Sequence, residues 1–249
     1  MEGGGVRLSV VLPAYREAER ITGTVQRVRA ALAGISAEVI VVDDGSGDAT
    51  AERARAAGAD RVVSKPCNEG KGAAVRAGAL LARGRAVAFT DADLSYSPEQ
   101  LLTLLAHVET GWDVVVGSRA HAATETLVAP GVVRAASTCV FNLLTRAALS
   151  RRYGDTQCGL KAFSAEAARL LFGLARVDGF AFDVELLHLA EAHGLTVLEV
   201  PVRVSNSATS TVRVGRDSVR MARDILRVRR WSRTGAYELR DARVPQPAG

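Results

Sequence analysis

Short runs of apolar, often β-branched residues alternate with longer amphipathic segments through the first half of this chain. Such alternation is typical of βαβ units, in which strands without a polar face are buried on both sides. We therefore predict an α/β fold in which helices flank a mostly parallel central sheet. The predicted strands are residues 8–12, 39–42, 61–64, 86–90 and 113–116.

Helical patterns lie between these strands and dominate the second half. One of them has a clear start signal, with Ser97 as N-cap, Pro98 in the first turn and Gln100 three residues after the cap. A turn is predicted at residues 154–159 and a strand at 196–204. The other helices are predicted at about 17–33, from Thr50, and at 71–83, 132–149, 165–173, 183–193 and 216–230.

The 249 residues are enough for one large α/β domain. We expect that domain to span residues 8–240, with loose tails at 1–7 and 241–249. The rhythm of strands and helices changes after Gly117. This change divides the domain into a first half, about 8–117, and a second half, about 118–240.

The sequence also indicates a compartment. No apolar run approaches the ~20 residues that cross a bilayer, and the N-terminus lacks a signal-peptide pattern. The three cysteines, Cys67, Cys139 and Cys158, are far apart and odd in number, which suits a reducing compartment. We expect a cytoplasmic protein that is at most peripheral to a membrane.

The formal net charge of +5 favours anionic partners, such as nucleic acid, phosphorylated substrates or an anionic membrane surface. Nucleic acid is the least favoured of these. Aromatic residues, which would stack on bases, make up only 5% of the chain. Acidic clusters at the ends of the predicted strands would also repel a phosphate backbone.

These polar clusters follow three of the predicted strands, at residues 13–17, 43–50 and 91–95. In an open parallel sheet the carboxyl ends of the strands share one edge, and ligands bind there. Carboxylates placed directly after buried strands cost desolvation energy unless they bind something. The three clusters therefore predict a ligand site at this edge.

Asp91 and Asp93 have the spacing that a hard cation requires. In an extended segment residues i and i+2 point the same way, so both carboxylates can address one Mg²⁺ or Mn²⁺ with its bound diphosphate. The alternative is an acidic turn that precedes a helix. The position at a strand end, beside the other clusters, favours the metal.

Two further segments have both a ligand interpretation and a structural one. Residues 43–46 can form an Asx-type turn, or Asp44 can bind the base and ribose of a nucleotide together with Tyr15 and Glu17. Residues 70–72 can begin a helix, or can bring backbone amides and the Lys71 ammonium to a phosphate. The Walker A pattern and the dinucleotide glycine fingerprint are both absent from the sequence.

Taken in order, four motifs resemble those of family-2 glycosyltransferases with the GT-A fold. They are Pro13-Ala14-Tyr15-x-Glu17, Val41-Val42-Asp43-Asp44-Gly45-Ser46, Asn68-x-Gly70-Lys71-Gly72-Ala73 and Asp91-Ala92-Asp93-Leu94. Residues 117–121, 155–161 and 180–187 are similar to the polyprenyl-phosphate hexosyltransferases, above all those that glucosylate dolichyl phosphate, and less closely to the mannose synthases. The likeness runs from about Leu8 to Tyr237. It implies a nucleotide-sugar half followed by an acceptor half.

The resemblance also implies roles for single residues. Asp91 and Asp93 would hold the metal, and Ser95 stands where mannose synthases carry a glutamine. The predicted nucleotide-sugar-binding residues are Pro13, Ala14, Tyr15, Glu17, Val42, Asp44, Lys71, Asp91 and Ala92. The predicted acceptor-binding residues are Arg119, Arg134, Gln157, Arg213 and Arg216. The predicted catalytic residues are Asp93, Asp183, Arg119 and Arg134.

The implied reaction is the inverting transfer of a hexose, glucose from UDP-glucose in the leading interpretation, to a polyprenyl or dolichyl phosphate. A phosphate acceptor is already an anion and needs no general base. A hydroxyl acceptor needs one, and Asp183, then Glu185, are the candidates, although Asp183 can equally cap its helix. GDP-mannose as donor and a soluble metabolite as acceptor are the alternatives.

The last predicted helix is both basic and amphipathic. Met221, Ile225 and Val228, flanked by Val219, Ala222 and Leu226, are assigned to its apolar face. Arginines form a stripe at Arg216, Arg220, Arg223, Arg227 and Arg230. Such a helix can pack on its own domain, which is the commoner case, or lie in a membrane interface, which the resemblance favours.

Overall fold

A computed structural model describes residues 5–126, 153–205 and 214–238, the first five of the last range by their helical backbone alone. The strands are β1 (Leu8–Ala14), β2 (Ala37–Asp43), β3 (Arg61–Ser64), β4 (Ala86–Phe89), β5 (Val114–Ser118), β6 (Glu125–Thr126), β7 (Lys161–Ser164), β8 (Val197–Pro201) and β9 (Arg203–Val204). The helices are α1 (Ile21–Ala31), α2 (Thr50–Ala56), α3 (Lys71–Leu81), α4 (Gln100–Glu109), α5 (Ala165–Leu174), α6 (Phe182–Ala192) and α7 (Val214–Arg233).

Seven strands form one sheet in the order β3-β2-β1-β4-β7-β5-β8, and β6 pairs with β9 beside it. Every pair in the large sheet is parallel except those of β7, which lies antiparallel between β4 and β5. The predicted α/β fold with a mostly parallel central sheet is confirmed. The strand β7 itself was not predicted, because its four residues follow a turn and show no strand-like period.

Both faces of the sheet are covered by helices, as the apolar strands require. Helices α1, α2 and α4 pack on one face, and α3, α5, α6 and α7 pack on the other. Helix α4 buries Leu101, Leu104, Leu105 and Val108, which share one helical face. Helix α3 lies close to β1 because it carries Gly78, where a Cβ atom would come 2.4 Å from a methyl group of Val11.

Several helices and strands begin or end at residues other than those predicted. Helix α1 begins at Ile21 instead of Glu17, since Arg16 has a φ of 57° and a hydrogen-bonded turn precedes the helix. The predicted N-cap Ser97 is wrong, because α4 begins at Gln100 and the Ser97 hydroxyl donates to the Glu99 carboxylate at 2.6 Å. The predicted strand 196–204 is divided into β8 and β9. The predicted helix 132–149 lies outside the described residues.

None of the helices in the described ranges is long and apolar enough to span a bilayer.

A buried carboxylate holds the opposite, amino-terminal edge of the sheet. Glu38 of β2 accepts hydrogen bonds from the Ser9 hydroxyl at 2.6 Å and from the backbone amide of Arg83 at 2.7 Å. The guanidinium of Arg83 donates to the second carboxylate oxygen at 2.9 Å. Burial alone would raise the pKa of Glu38, but these hydrogen bonds and the Arg83 charge lower it below 4.5.

Glu38→Ala is therefore expected to lower the free energy of unfolding by about 1–3 kcal/mol, because buried donors lose their acceptor. A lowered pKa stabilises the fold above pH 4.5, and this stability is lost as the pH falls through the folded-state value. The difference from wild type should accordingly shrink in acid. Urea denaturation across pH measures it. The exposed Glu166→Ala is the control, and equal effects of the two variants would contradict the assignment.

Candidate active site

The three polar clusters meet at the carboxyl edge of the sheet, as predicted. The backbone amides of Arg16 and Glu17 donate to the Ser46 and Thr50 hydroxyls, at 2.8 and 3.0 Å. These bonds join the loop after β1 to the loop after β2. The hydroxyl of Thr24 in α1 donates to the Ala92 carbonyl at 2.6 Å. The loop after β4 is therefore fixed against α1, and the edge is one connected surface.

The Asp91 carboxylate lies between the Lys71 ammonium and Gly159. Its Oδ1 lies 2.5 Å from the ammonium nitrogen of Lys71, at the start of α3. A Cβ atom on Gly159 would come 2.2 Å from its Oδ2, so only glycine leaves room for this carboxylate. Burial alone would lower the pKa of Lys71, but the charge of Asp91, with those of Asp183 and Asp93, raises it. Lys71 is a permanent cation next to the acidic motif.

Asp93 lies beside a second acidic group. Its carboxylate accepts hydrogen bonds from the amide and the hydroxyl of Ser95, at 3.0 and 2.9 Å. Burial raises the pKa of Glu17, and the charges of Asp93, Asp48 and Asp91 raise it further, against the lowering effect of Arg20. Burial is the largest of these causes, and the three neighbouring carboxylates add to it. A cation bound among these carboxylates would offset their mutual repulsion.

Beneath this surface lies a fully buried lysine, Lys161 of β7. Its ammonium donates to the carbonyls of Thr156 and Cys158, at 3.2 and 2.6 Å, and to Asp183 Oδ1 at 2.6 Å. All three N–H donors are therefore used. It also lies 5.6 Å from the centroid of the Phe89 ring. One ammonium group thus joins the 156–158 turn to the first turn of α6.

Asp183 does not cap its helix. The N-cap of α6 is Ala181, and Asp183 lies inside the first turn, with its buried carboxylate paired to Lys161. Burial raises its pKa, although the charges of Lys161 and Lys71 lower it. We name Asp91, Lys71, Asp183 and Lys161 the charge chain, since acids and bases alternate along it from the surface to the core.

Arg119, at the end of β5, is held by an acid that sequence reasoning did not single out. Its Nε and Nη2 donate to Asp155 at 2.6 and 2.8 Å, and its backbone amide donates at 3.0 Å. Asp155 also accepts from the amide of Gln157 at 3.0 Å. Burial would raise the pKa of Asp155, but Arg119 lowers it. Within the described chain, Nη1 of Arg119 makes no hydrogen bond.

The predicted nucleoside-binding residues fall into two groups. Tyr15 is 38% exposed and carries the Arg16 guanidinium 5.3 Å from its ring centroid, so its ring can contact a ligand. Pro13 is half-buried and paired in β1. The side chains of Ala14, Val42 and Ala92 are buried, so they can offer a ligand only backbone groups.

Asp44 is engaged with its own chain. The amides of Glu69 and Gly70 donate to its two oxygens at 3.1 and 2.8 Å, and Lys65 lies 3.6 Å away. Asp44 therefore shapes the loop that leads into α3. The Asx-type turn forms as well, but through the neighbouring Asp43, which accepts from the amide and hydroxyl of Ser46.

The start of α3 is packed against another loop. A Cβ atom on Gly70 or Gly72 would come within 2.4–2.5 Å of the carbonyl oxygens of Asp178 or Val177. These contacts explain both glycines without a ligand. They also place Lys71 between the 177–182 loop and Asp91.

Glu185, the second candidate for a general base, is a structural anchor. It is fully buried and accepts from the amides of Arg176 and Val177, at 3.0 and 2.8 Å, and from the Tyr237 hydroxyl at 2.5 Å. Among the predicted arginines, Arg134 and Arg213 lie outside the described residues, and Arg216 is described by its backbone alone.

Sequence reasoning missed the roles of Asp155, Gly159, Lys161 and Glu199. The carboxylate of Glu199 in β8 accepts from the amides of Gly154 and Asp155. The one local signal is Lys161, a charged residue between apolar neighbours. Its partners lie on other elements and leave no pattern in the sequence around it.

The mostly parallel sheet, with an acidic motif and a lysine at its carboxyl edge, agrees with the GT-A glycosyltransferase fold. The family model described as Glycosyl transferase family 2 matches residues 9–170. The chain belongs to this family, and it is a nucleotide-sugar-dependent hexosyltransferase.

Relatives and solved structures agree with this assignment. The dolichyl-phosphate beta-glucosyltransferase of Drosophila melanogaster is 36% identical over 94% of this chain and 78% of its own length. Its Homo sapiens counterpart is 32% identical over 95% and 79%. The glucosyl-3-phosphoglycerate synthase of Mycobacterium tuberculosis, crystallised with Mn²⁺, UDP-glucose and phosphoglyceric acid, aligns with a TM-score of 0.68 and 26% identity over 92% and 80%. Another crystal of that synthase contains Mg²⁺ and UDP (TM-score 0.65, 25% identity, coverage 92% and 80%).

Lys161→Met should lower the free energy of unfolding by about 3–5 kcal/mol, because it leaves the Asp183 carboxylate buried and unpaired. Lys161→Met/Asp183→Leu should recover at least half of this loss, since neither charge then remains. Thermal and urea unfolding measure both variants. Arg169→Met, at an exposed ion pair, is the control. A double variant that is less stable than Lys161→Met would contradict the pairing.

Proposed function

We propose that this enzyme transfers glucose from UDP-glucose, with inversion, to the phosphate of a polyprenyl phosphate of the dolichyl type. The outer end of the charge chain carries the proposal, because Asp91 and the Lys71 ammonium lie 2.5 Å apart beside Asp93, an arrangement that suits a metal-bound diphosphate. The names of the curated relatives support the lipid-phosphate acceptor and the glucosyl group. The UDP-glucose complex of the structural neighbour supports the donor.

The donor end consists of the loops after β1, β2 and β4. Tyr15 and Glu17 are the side chains exposed enough to bind the nucleoside, and Asp44 holds the loop from which Lys71 projects. Lys71 binds the diphosphate oxygens and stabilises the negative charge that grows on them as the glycosidic bond breaks. Its raised pKa keeps it protonated through the neutral range.

Asp91 and Asp93 fit a divalent cation. Among the described residues, no group of three or more His, Cys, Asp or Glu side chains is placed to hold a metal on its own. Mg²⁺ is usually bound by one or two carboxylates together with substrate phosphates, and this pair offers that donor set. When bound, Mg²⁺ or Mn²⁺ neutralises the leaving diphosphate.

The acceptor end is proposed at Arg119. Asp155 fixes its guanidinium through two hydrogen bonds. Nη1, which bonds to none of the described residues, is the atom proposed to bind an acceptor phosphate oxygen. Arg134, Gln157, Arg213 and Arg216 remain predicted acceptor contacts. A phosphate anion attacks the anomeric carbon without losing a proton first, so no general base is required. Asp183 then serves as the buried partner of Lys161 and as a countercharge to Lys71.

A membrane-borne acceptor places the enzyme at a membrane surface, on the cytosolic side where nucleotide sugars are available to it. The alternative acceptor is a soluble phosphorylated acid, which the phosphoglyceric acid complex of the structural neighbour favours. Both reactions use the same donor loops. They differ in what Arg119 binds.

A transfer assay tests the proposal. Purified enzyme with Mg²⁺ or Mn²⁺, detergent-dispersed polyprenyl phosphate and labelled UDP-glucose should move label into the organic phase, and GDP-mannose should not replace the donor. Asp93→Asn should lower the rate at least about 100-fold, as the loss of electrostatic stabilisation does in other enzymes. A chelator should have the same effect on wild type.

The possible results discriminate between the acceptors and between the donors. UDP release that depends on phosphoglyceric acid, without lipid labelling, would assign a soluble acceptor and overturn the lipid proposal. Labelling from GDP-mannose alone would overturn the donor. Full activity of Asp93→Asn in the presence of a chelator would contradict the role of the carboxylate pair.

Gly159→Ala should reduce transfer by at least about tenfold, because the new methyl group would displace the Asp91 carboxylate from Lys71. Gly173→Ala is the matched control, since a Cβ atom there meets nothing within 4 Å. Rates and melting temperatures of both variants are compared. A folded Gly159→Ala enzyme with the wild-type rate would show that the position of Asp91 does not matter.

A further inference from the structure

Helix α7 concentrates the charge of the chain. It carries seven arginines and two aspartates, so its formal charge equals the +5 of the whole protein. The remaining residues are balanced between acids and bases. A patch of this kind on one helix indicates a specific anionic partner more strongly than a dispersed excess does.

The inward face of α7 is fixed on the domain. Met221, Ile225 and Val228 are buried, and the helix packs on α6. Near the end of the helix, the rings of Trp231 and Tyr237 pack edge to face, with their centroids 6.2 Å apart. The predicted packing of the apolar face on the domain is therefore confirmed for these three residues.

The outward face has apolar residues of its own. Val219 and Leu226, predicted to flank the apolar face, are each 62% exposed and do not share the buried side of the helix. At ~100° per residue, Val219 lies roughly opposite Val228, and Leu226 lies seven residues on, close to the line of Val219. The two side chains therefore occupy the centre of the face that points away from the domain.

Arginines surround this exposed apolar line. At the same helical angles, Arg223, Arg227 and Arg230 lie on one side of it, and Arg229 and Arg233 lie on the other. Leu226, Arg229, Arg230, Arg233 and Thr234 line a shallow open depression. Among the described residues, the one ion pair of these arginines joins Arg227 to Asp224 of the same helix, at 3.3 Å. The described part of the chain therefore leaves most of their positive charge without an ion-pair partner.

We propose that the outward face of α7, formed by Val219, Leu226 and the arginines around them, docks on an anionic lipid bilayer. A helix with apolar side chains at the centre of its exposed face and cations on both sides matches an interface in which apolar groups enter the acyl boundary and arginines bind lipid phosphates. This inference deepens the proposed function, on which it rests, by naming the surface that meets the membrane.

The bilayer accounts for features that a soluble ligand does not. A free phosphate would use the arginines but would leave Val219 and Leu226 exposed. A second copy of this chain would bring the same cationic faces together, which costs electrostatic energy. An extended anionic surface with an apolar layer below it satisfies both kinds of side chain.

The position of α7 connects this surface to the active site. The Asp224 carboxylate lies 3.5 Å from where a Cβ atom of Gly179 would be, and the 177–182 loop that carries Gly179 packs on the start of α3. A bilayer docked on the outward face would therefore lie across α7 from the loop that borders Lys71. A lipid-phosphate acceptor requires the active site to be near the bilayer.

Vesicle sedimentation of the full chain tests the proposal. Binding is expected to vesicles that contain phosphatidylglycerol, and not to pure phosphatidylcholine. Leu226→Glu should lower the partition coefficient about tenfold or more, and Arg230→Ala should lower it about fivefold. High salt should release the wild type. Leu80→Glu and Arg169→Glu, at exposed positions of α3 and α5, are matched controls that should bind as wild type does. Unchanged melting temperatures confirm that the variants fold.

Each contrary outcome is distinct. Absence of binding to anionic vesicles, or binding that Leu226→Glu and Arg230→Ala leave unchanged, overturns the proposal. A dimer in solution that Leu226→Glu dissociates, with no vesicle binding, would assign the face to a second copy and also overturn it. Wild-type transfer to lipid phosphate in detergent without vesicle binding refutes only this inference. Vesicle binding without transfer refutes the proposed function instead.

Discussion

One buried ammonium group connects the parts of this enzyme. Lys161 lies in the middle of the sheet, where an unpaired charge would be too costly to keep. Its three bonds fix the 156–158 turn and the start of α6 at once. Asp155 precedes this turn and Gly159 follows it, so the positions of the Arg119 and Asp91 side chains both depend on the turn. Arg119 and Asp91 are therefore positioned through the same anchor.

The charge chain also explains how an acidic edge is stable without ligands. Asp91 is balanced by Lys71 and Asp183 by Lys161, so no carboxylate of the chain is left without a counterion. Cation binding at Asp91 would free Lys71 to interact with the diphosphate. The same lysine can thus neutralise an acid before the donor arrives and an oxygen anion afterwards.

Local motifs correctly predicted which loops meet at the carboxyl edge of the sheet. Asp91 and Asp93 follow a strand, and Lys71 begins a helix, so the alternation of elements alone places them at one edge. The pairs Lys161–Asp183 and Arg119–Asp155 could not be predicted from the sequence, because each joins elements whose contact depends on the antiparallel strand β7. The predicted apolar face of α7 agrees with the structure for Met221, Ile225 and Val228, but not for Val219 and Leu226. Helical period identifies an apolar side, but docking on α6 decides which residues it includes.

The position of β7 has a consequence for the order of folding. Strands β4 and β5 follow one another in the chain but cannot pair, because β7 occupies the place between them. As the protein leaves the ribosome, one edge of each strand would lack its hydrogen-bonding partner until residues 161–164 emerge. Open edges invite pairing with other chains. A truncated protein that ends after β5 would therefore be a half-sheet prone to aggregation, even though it contains the polar motifs that follow β1, β2 and β4.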